Sequence, residues 1–448
     1  MKVSIQFSFR RLLRAIPCLL IIPILFMATL YTVHADEVPV VSCGTAVLMD
    51  ADSGQVLYDM DGSKRCFPAS TTKIMTCMIA LEHCSLDETV VTPKSSLDII
   101  PGSSAIYVTP GEELTMEQCL HALMMASAND VANAVAEHVA GSLDAFVDMM
   151  NARAAEIGAA DTHFVNAHGL HSDDHYTTAY DLALISKEAW KHPYFQELIG
   201  ETFYEIPPTN LCDESRYFYR KQKLTRQGTS LYYEYCLGGK TGYTTEADNT
   251  LVSFARKDGM TLIAVSLCCP ATQQYLNTRN LFEYGYSHYR SVEYSLTDTL
   301  IERVPVYNDF ACTEKIGYAD IVADDRFQYA VSSDTADDSL PSFDISVSLP
   351  SYIIAPGDVD ESIGSVSYRL NGQLIAEIPC YLREPVRPVS IESRQAAVPS
   401  SAQNLEPSIP GIFPWYWNII FIVLFLIALA LLILPALLRR RRKRRRFY

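Results

Sequence analysis

Residues 415–438 are almost wholly apolar, and the eight residues that follow, 439–446, are all Arg or Lys. An apolar stretch of this length spans a bilayer core as a helix. The aromatic pair Trp415 and Trp417 suits one interface, and the basic run suits a stop on the cytoplasmic side. A basic run alone also fits nucleic-acid binding, but its place directly after the apolar stretch makes the stop-transfer reading the expected one. At the other end, Lys2, Arg10, Arg11 and Arg14 precede an apolar run, 15–33, and a small-residue site, Val33-His34-Ala35. Residues 1–35 therefore read as an export signal cleaved after Ala35, the alternative being an uncleaved anchor. On either reading the chain between the two ends is exported, tethered at its C-terminus, and folds outside the cytoplasm.

With the two ends set aside, 24 Lys and Arg face 52 Asp and Glu in that exported part. A surface this acidic disfavours nucleic acid and other polyanions as partners. The twelve cysteines include Cys18 in the signal, which leaves an odd number outside. An oxidising compartment permits disulfides, but spacing does not fix their connectivity. Cys77 and Cys119, in helical apolar patterns, and the adjacent Cys268 and Cys269, in a strand, read mostly as small buried hydrophobes. No C-x-x-C pair is present to suggest zinc.

Between the ends the pattern changes near residue 290. Before it, 44–49 and 55–58 flank Asp52-Ser53-Gly54, and 250–255 and 261–267 flank Asp258-Gly259, as strand–turn–strand units. Ile74, Met75, Met78 and Leu81 share one side of a helix that opens near Ser70. Leu120, Leu123 and Met124, and then Val131, Val135 and Val139, mark two more. The expected fold is α+β, an antiparallel sheet with helices packed on it, over residues 36–290. From 291 to 386 the helical signal fades. Segments 343–349 and 366–382 alternate as strands, the second broken by the hairpin signal Asn371-Gly372, so a small all-β domain is expected. Residues 387–414 carry five prolines without periodicity and read as a linker. The span 415–438 and the basic tail 439–448 complete the layout.

Three short motifs stand in order within 36–290: Ser70-Thr71-Thr72-Lys73, Ser127-Ala128-Asn129 and Lys240-Thr241-Gly242. Singly, the first two read as helix caps and the third as a strand end. Together they are the S-x-x-K, S-x-N and K-T-G set of penicillin-recognising serine enzymes, and so point to acyl transfer through a serine ester. The chemistry suits the spacing. Ser70 and Lys73, three residues apart on a helix, project to one face. A serine hydroxyl needs a neighbouring base, and Lys73 can serve if burial and a second cation, Lys240, leave its amine neutral. Gly242 would allow close approach of the backbone.

The longer stretches PASTTKIMT (68–76), THFVNAHGLHSDDHYTTAYDLALI (162–185) and GGKTGYTTEA (238–247) resemble the D-alanyl-D-alanine carboxypeptidases of the low-molecular-mass penicillin-binding protein type, the serine peptidase S11 family. The resemblance implies a β-lactamase/transpeptidase-like catalytic domain that needs no metal or other cofactor. It implies Ser70 as nucleophile, Lys73 as base and Ser127 as proton relay. Asn129, Lys240 and Thr241 would bind substrate, and the backbone N–H groups of Ser70 and Tyr243 would form the oxyanion hole. The implied partners are a peptidoglycan pentapeptide, cut between its terminal D-alanines, and β-lactams as inhibitors. One departure from the family pattern is Asp248-Asn249-Thr250 after Thr245-Glu246-Ala247, which bears on the turn. His163, His168, His171 and His175 crowd one segment, yet its polar, turn-rich character reads as a cleft-side loop rather than a metal site. A serine β-lactamase is the nearest rival, but between 158 and 187 the acids are all aspartates, without the glutamate that class A enzymes use for deacylation. A non-catalytic wall-binding scaffold is the remaining alternative, and the intact motif set argues against it.

Overall fold

All six residues of Thr45–Asp50 (TAVLMD) are buried, as a strand covered on both faces requires. The computed structural model describes residues 38–389 except position 324, and this segment is its β1. The signal (1–35), most of the linker (387–414), the apolar span and the basic tail lie outside the described residues. Among the described residues no helix is long and apolar enough to cross a membrane.

Strand β1 pairs antiparallel with β2 (Val56–Met60). The turn between them is fastened by Asp50, whose Oδ1 accepts from the Ser53 backbone N–H at 2.7 Å and the Ser53 hydroxyl at 2.6 Å. Two short hairpins, β3 (Thr89–Val91) with β4 (Glu113–Thr115) and β5 (Phe203–Ile206) with β6 (Arg216–Tyr219), lie outside the main sheet. The main sheet is completed by β7 (Cys236–Thr244), β8 (Asp248–Lys257) and β9 (Met260–Cys269), in the order β2-β1-β9-β8-β7, antiparallel throughout.

Alternation along these strands sorts the core into two layers. Val47, Met49, Val252, Phe254, Ile263 and Val265 pack toward the helices α1 (Lys73–His83), α2 (Met116–His121), α3 (Asn129–Ala140), α4 (Leu143–Ile157), α5 (Ala179–Trp190) and α6 (Pro193–Gly200). Ala46, Leu48, Leu251, Ala255, Leu262 and Ala264 pack on the other face against Tyr275, Leu281 and Phe282 of α7 (Gln273–His288). Each of these positions is buried, so truncating a large one costs about 2–5 kcal/mol through lost transfer energy and the cavity left behind. Helix therefore covers both faces of an antiparallel sheet.

The all-β run starts at Tyr289, directly on the end of α7. Strand β10 (Tyr289–Ser295) pairs with β13 (Arg326–Ser332). A six-stranded sheet orders β14 (Asp344–Ser348), β16 (Gly364–Leu370), β17 (Gln373–Leu382), β12 (Lys315–Ala323), β11 (Thr299–Tyr307) and β15 (Ile353–Ile354). Its core holds Val304, Val306, Ile321, Val366, Tyr368, Ile378 and Cys380. Asn371 and Gly372, both at positive φ (52° and 82°), make the tight β16–β17 turn that their identity suggests.

The cysteines correct one reading. Cys77 and Cys119 are buried with no exposure, as small hydrophobes are. Cys269 is not a plain core residue, because it forms a disulfide with Cys43, 226 residues away. The last residue of β9 lies beside the chain entering β1, and only the sheet order brings the two together.

Candidate active site

The segment carrying Ser70 enters from Pro68 and Ala69. The Pro68 carbonyl accepts from Thr71 Oγ1 at 2.6 Å and, across from β8, from Thr250 Oγ1 at 3.0 Å, while Ala69 is held at φ 49°. Ala69–Thr72 forms a single tight 3-10 turn, and the α-helix begins only at Lys73. Ser70 therefore lies one step ahead of the α-helix it was expected to open, in a turn pinned to the sheet.

Lys73 is fully buried, and its Nζ stands 3.3 Å from Ser70 Oγ. The same nitrogen donates to Asn129 Oδ1 and to the His168 carbonyl, both at 2.6 Å. A neutral amine has two hydrogens and one lone pair. Those two acceptors engage both hydrogens, which leaves the lone pair for the Ser70 hydroxyl. Burial, and then the charges of Lys240 and Lys221, hold Lys73 well below the ordinary lysine range. The arrangement is that of a neutral base beside a serine.

Asn129 and Ser127 reach this point through an irregular piece of backbone. Helix α2 opens with a capping box between Thr115 and Gln118 and widens into a π turn at 122–126. Ser127 follows in the left-handed region (φ 62°, ψ 35°), and α3 begins at Asn129. The strained residue turns its hydroxyl toward Lys240, whose Nζ lies 3.0 Å from Ser127 Oγ. Asp130, which follows Asn129, is buried and accepts the backbone N–H groups of Ile106 and Val108, which holds the 104–108 loop beside the motif. Asn129 N–H binds the Ser104 carbonyl at 2.8 Å.

Lys240 is 2 % exposed and also donates to the Thr241 carbonyl at 2.9 Å. Burial and then Lys221 push its ammonium down to about 7. Thr241 is half-buried on the same strand, β7, and the Tyr243 side chain is exposed. Gly242 is where β7 meets the nucleophile turn, since a Cβ there would lie 2.8 Å from the Ser70 backbone nitrogen. The unusual residues after Ala247 close a regular hairpin. Thr244 pairs with Asp248 and Tyr243 with Asn249, with Asp248 at φ 53° and Thr244 Oγ1 accepting from Ala247 N–H at 3.0 Å.

The six predicted side chains, Ser70, Lys73, Ser127, Asn129, Lys240 and Thr241, thus gather from the 3-10 turn and the start of α1, from the turn ahead of α3 and its first residue, and from β7. Three contributors escaped the sequence reading. Lys221 donates to the Ala126 carbonyl at 2.6 Å and adds positive field, but nothing in its neighbourhood singles it out. Asp130 adjoins a motif, and a buried acid beside Asn129 was the available signal. The His168 carbonyl is a backbone group in the 162–185 stretch, which no side-chain pattern encodes.

The four histidines turn to separate partners. His175 donates from Nε2 toward Thr72 Oγ1 at 2.8 Å and accepts Val165 N–H at Nδ1, the neutral tautomer. His168 Nδ1 accepts Leu170 N–H, His163 Nδ1 faces the Asp174 carbonyl, and His171 lies near Asp173. Burial pushes both His168 and His175 down to about 3. These rings brace the loop that presents the His168 carbonyl. The nearby acids are also committed elsewhere, Asp161 to Arg65 and Asp181 to the Asp161 N–H and Thr162 hydroxyl. Beside the site a cavity of about 390 Å³ is lined by Ser104, Ile106, Ala126, Tyr217, Tyr219 and Lys221. Its outer wall is fixed by Glu112, which accepts both Arg216 guanidinium arms at 2.7 and 3.1 Å.

The family model of D-alanyl-D-alanine carboxypeptidases, Peptidase_S11, matches residues 32–270. The chain is 27% identical to D-alanyl-D-alanine carboxypeptidase DacF of Bacillus subtilis over 349 residues, covering 77% of this chain and 85% of that protein. It is 35% identical to DacB2 of Mycobacterium tuberculosis over 222 residues, covering 49% and 72%. Its fold is similar to that of penicillin binding protein 5 from Haemophilus influenzae, with a TM-score of 0.57 at 23% identity, covering 78% of this chain and 99% of that one.

Proposed function

The chain belongs to the S11 family of D-alanyl-D-alanine carboxypeptidases, and from that premise we propose that Ser70 is its nucleophile and Lys73 the base that activates it. The protein is a serine peptidase of the penicillin-binding type, acting on peptidoglycan and binding β-lactams. The observation that carries the residue assignment is the Lys73 amine. It is buried, both its hydrogens are engaged by Asn129 and His168, and its third direction faces Ser70 Oγ at 3.3 Å.

In the proposed reaction the terminal carboxylate of a stem pentapeptide lies against Lys240 and Thr241. Its penultimate carbonyl points at the backbone N–H groups of Ser70 and Tyr243. Lys73 takes the Ser70 proton as Oγ attacks, and the two N–H groups stabilise the oxyanion that develops. The C–N bond breaks as the proton Lys73 took is relayed through Ser127, hydrogen-bonded to Lys240, to the departing D-alanine nitrogen, which leaves Lys73 neutral again. Asn129 hydrogen-bonds the peptide while holding Lys73. Water then hydrolyses the ester. A β-lactam presents a carbonyl and a carboxylate in a similar disposition and acylates the same hydroxyl.

We further propose that residues 36–290 form the catalytic unit, that 1–35 direct export, and that 415–438 anchor the chain with its catalytic part on the extracytoplasmic face. The 387–414 linker would give the globular part a reach of at most roughly 90 Å from the bilayer in a polyproline-like state. Fluorescent penicillin labelling tests the assignment, because Ser70→Ala abolishes labelling in a folded protein, and labelling retained at another residue rules it out.

A further inference from the structure

Four cysteines converge where the chain entering β1 meets the end of β9. Cys43 and Cys269 are joined as a disulfide. Beside them, the sulfurs of Cys66 and Cys268 stand 2.7 Å apart, 202 residues distant in sequence. Non-bonded heavy atoms rest at roughly 3.5–4.0 Å, so these two are nearer than a packing contact allows. The positions that hold them are fixed independently. Cys66 exchanges two backbone hydrogen bonds with Thr177, at 2.8 and 2.9 Å. Cys268 occupies the left-handed region at φ 54°, an unusual conformation for a strand residue, and its side chain leaves β9 away from that of buried Cys269. Two sulfur pairs therefore depart from one strand end to two different segments of the chain.

We propose that Cys66 and Cys268 are a redox site, closing to a second disulfide in an oxidising compartment by exchange with an organic disulfide of the glutathione type. The Cys268 thiolate attacks one sulfur of that disulfide and expels the other as a thiolate. Cys66 then gives up its proton and attacks the Cys268 sulfur of the mixed disulfide, releasing a second thiolate. Two protein thiols are oxidised and one organic disulfide is reduced to two thiols. The order follows from the environment. The hydrogen bond from Cys66 lowers the Cys268 thiol and Lys64 adds to that, whereas the same hydrogen bond, with burial, raises Cys66. Cys268 is also the more exposed of the two. The bond would fasten the chain four residues ahead of Ser70 to the sheet, on the strand end that Cys43 already holds.

The test uses the full chain treated with glutathione disulfide, alkylated with iodoacetamide and digested without reduction. The readout is covalent and does not depend on acylation, so it stands or fails apart from the carboxypeptidase reading. The expected product links the Cys66 peptide and the Cys43 peptide to the one peptide that carries both Cys268 and Cys269. Cys268→Ser then frees Cys66 as an alkylated peptide while Cys43 stays linked, and Cys66→Ser, which lacks the resolving thiol, leaves Cys43 linked with glutathione held on Cys268. Cys66 recovered alkylated from the oxidised wild type overturns the proposal. Glutathione retained on Cys268 of the oxidised wild type, or a Cys66 link that persists in Cys268→Ser, overturns it equally.

Discussion

Gly242→Ala probes the contact between β7 and the nucleophile turn. A Cβ at position 242 would lie 2.8 Å from the Ser70 backbone nitrogen and 3.1 Å from Ala69 Cβ, and would press on Thr250 Oγ1. The Thr250 hydroxyl can rotate, at the loss of its bond to the Pro68 carbonyl, but the Ser70 nitrogen is backbone in a pinned turn and cannot yield alone. Restoring an ordinary 3.4 Å contact therefore moves β7 and the turn apart by about 0.6 Å. That gap lies between the two N–H groups assigned to the oxyanion hole. A misplacement of 1 Å costs about a hundredfold, so acylation should slow by roughly tenfold to a hundredfold. Overpacking of this kind costs about 1–3 kcal/mol of stability. The assay is the second-order rate of labelling by a fluorescent penicillin, with urea unfolding of the same protein. Gly200→Ala, at a helix end with nothing within 4 Å, is the control and should leave the rate unchanged. Wild-type labelling by Gly242→Ala would refute the claim that strand approach at this glycine sets the site.

The base assignment is checked by Asn129→Asp, which sets a carboxylate against the Lys73 amine. It should hold the proton on Lys73, cut acylation at neutral pH by about a hundredfold or more, and return activity at alkaline pH, whereas an unshifted pH–rate profile would contradict it. Acid stability follows from burial. His168 and His175 are pushed down to about 3, so the unfolded chain binds more protons below the ordinary histidine value and stability falls with pH. Asp50, raised to about 6 by burial, acts in the opposite sense below that pH. The two histidines outweigh Asp50, and Lys73, which burial also holds low, acts in their sense, so stability falls as the pH drops from about 6 to 4; a flat urea-unfolding profile there would exclude it. Arg216→Ala strands the fully buried Glu112 carboxylate and should cost about 3–5 kcal/mol in urea unfolding, largely recovered in the double variant with Glu112→Gln; an undisturbed single variant would show the pair to be dispensable.

Much of this architecture could be read from the residues because it is local. The strand–turn–strand units around Asp52-Ser53-Gly54 and Asp258-Gly259 are β1–β2 and β8–β9, and Asn371-Gly372 is the β16–β17 turn. The apolar positions Ile74, Met75 and Met78 do line one buried helix. The motifs carried the side chains of the site for the same reason, each being a few adjacent residues. What the sequence could not carry is the long-range part. The order β2-β1-β9-β8-β7, which sets Cys43 against Cys269, follows from sheet assembly and has no local sign. The His168 carbonyl and the Lys221 charge act on Lys73 from distant segments, one through backbone and the other through field. The 3-10 turn at 69–72 and the left-handed Ser127 are backbone departures imposed by packing between elements, which a periodicity of apolar residues does not register.

The most direct test of the account is a parallel measurement on the full chain. D-alanine release from a pentapeptide ending in D-alanyl-D-alanine is followed together with the intact mass of the penicillin-treated protein and the position of its adduct. The expected result is steady release of D-alanine, a long-lived penicilloyl ester on Ser70, and loss of both in Ser70→Ala. Rapid turnover of penicillin without D-alanine release would make the protein a β-lactamase, and no adduct with no release would make it a scaffold. Either result contradicts the assignment of Ser70 and Lys73 to carboxypeptidase chemistry.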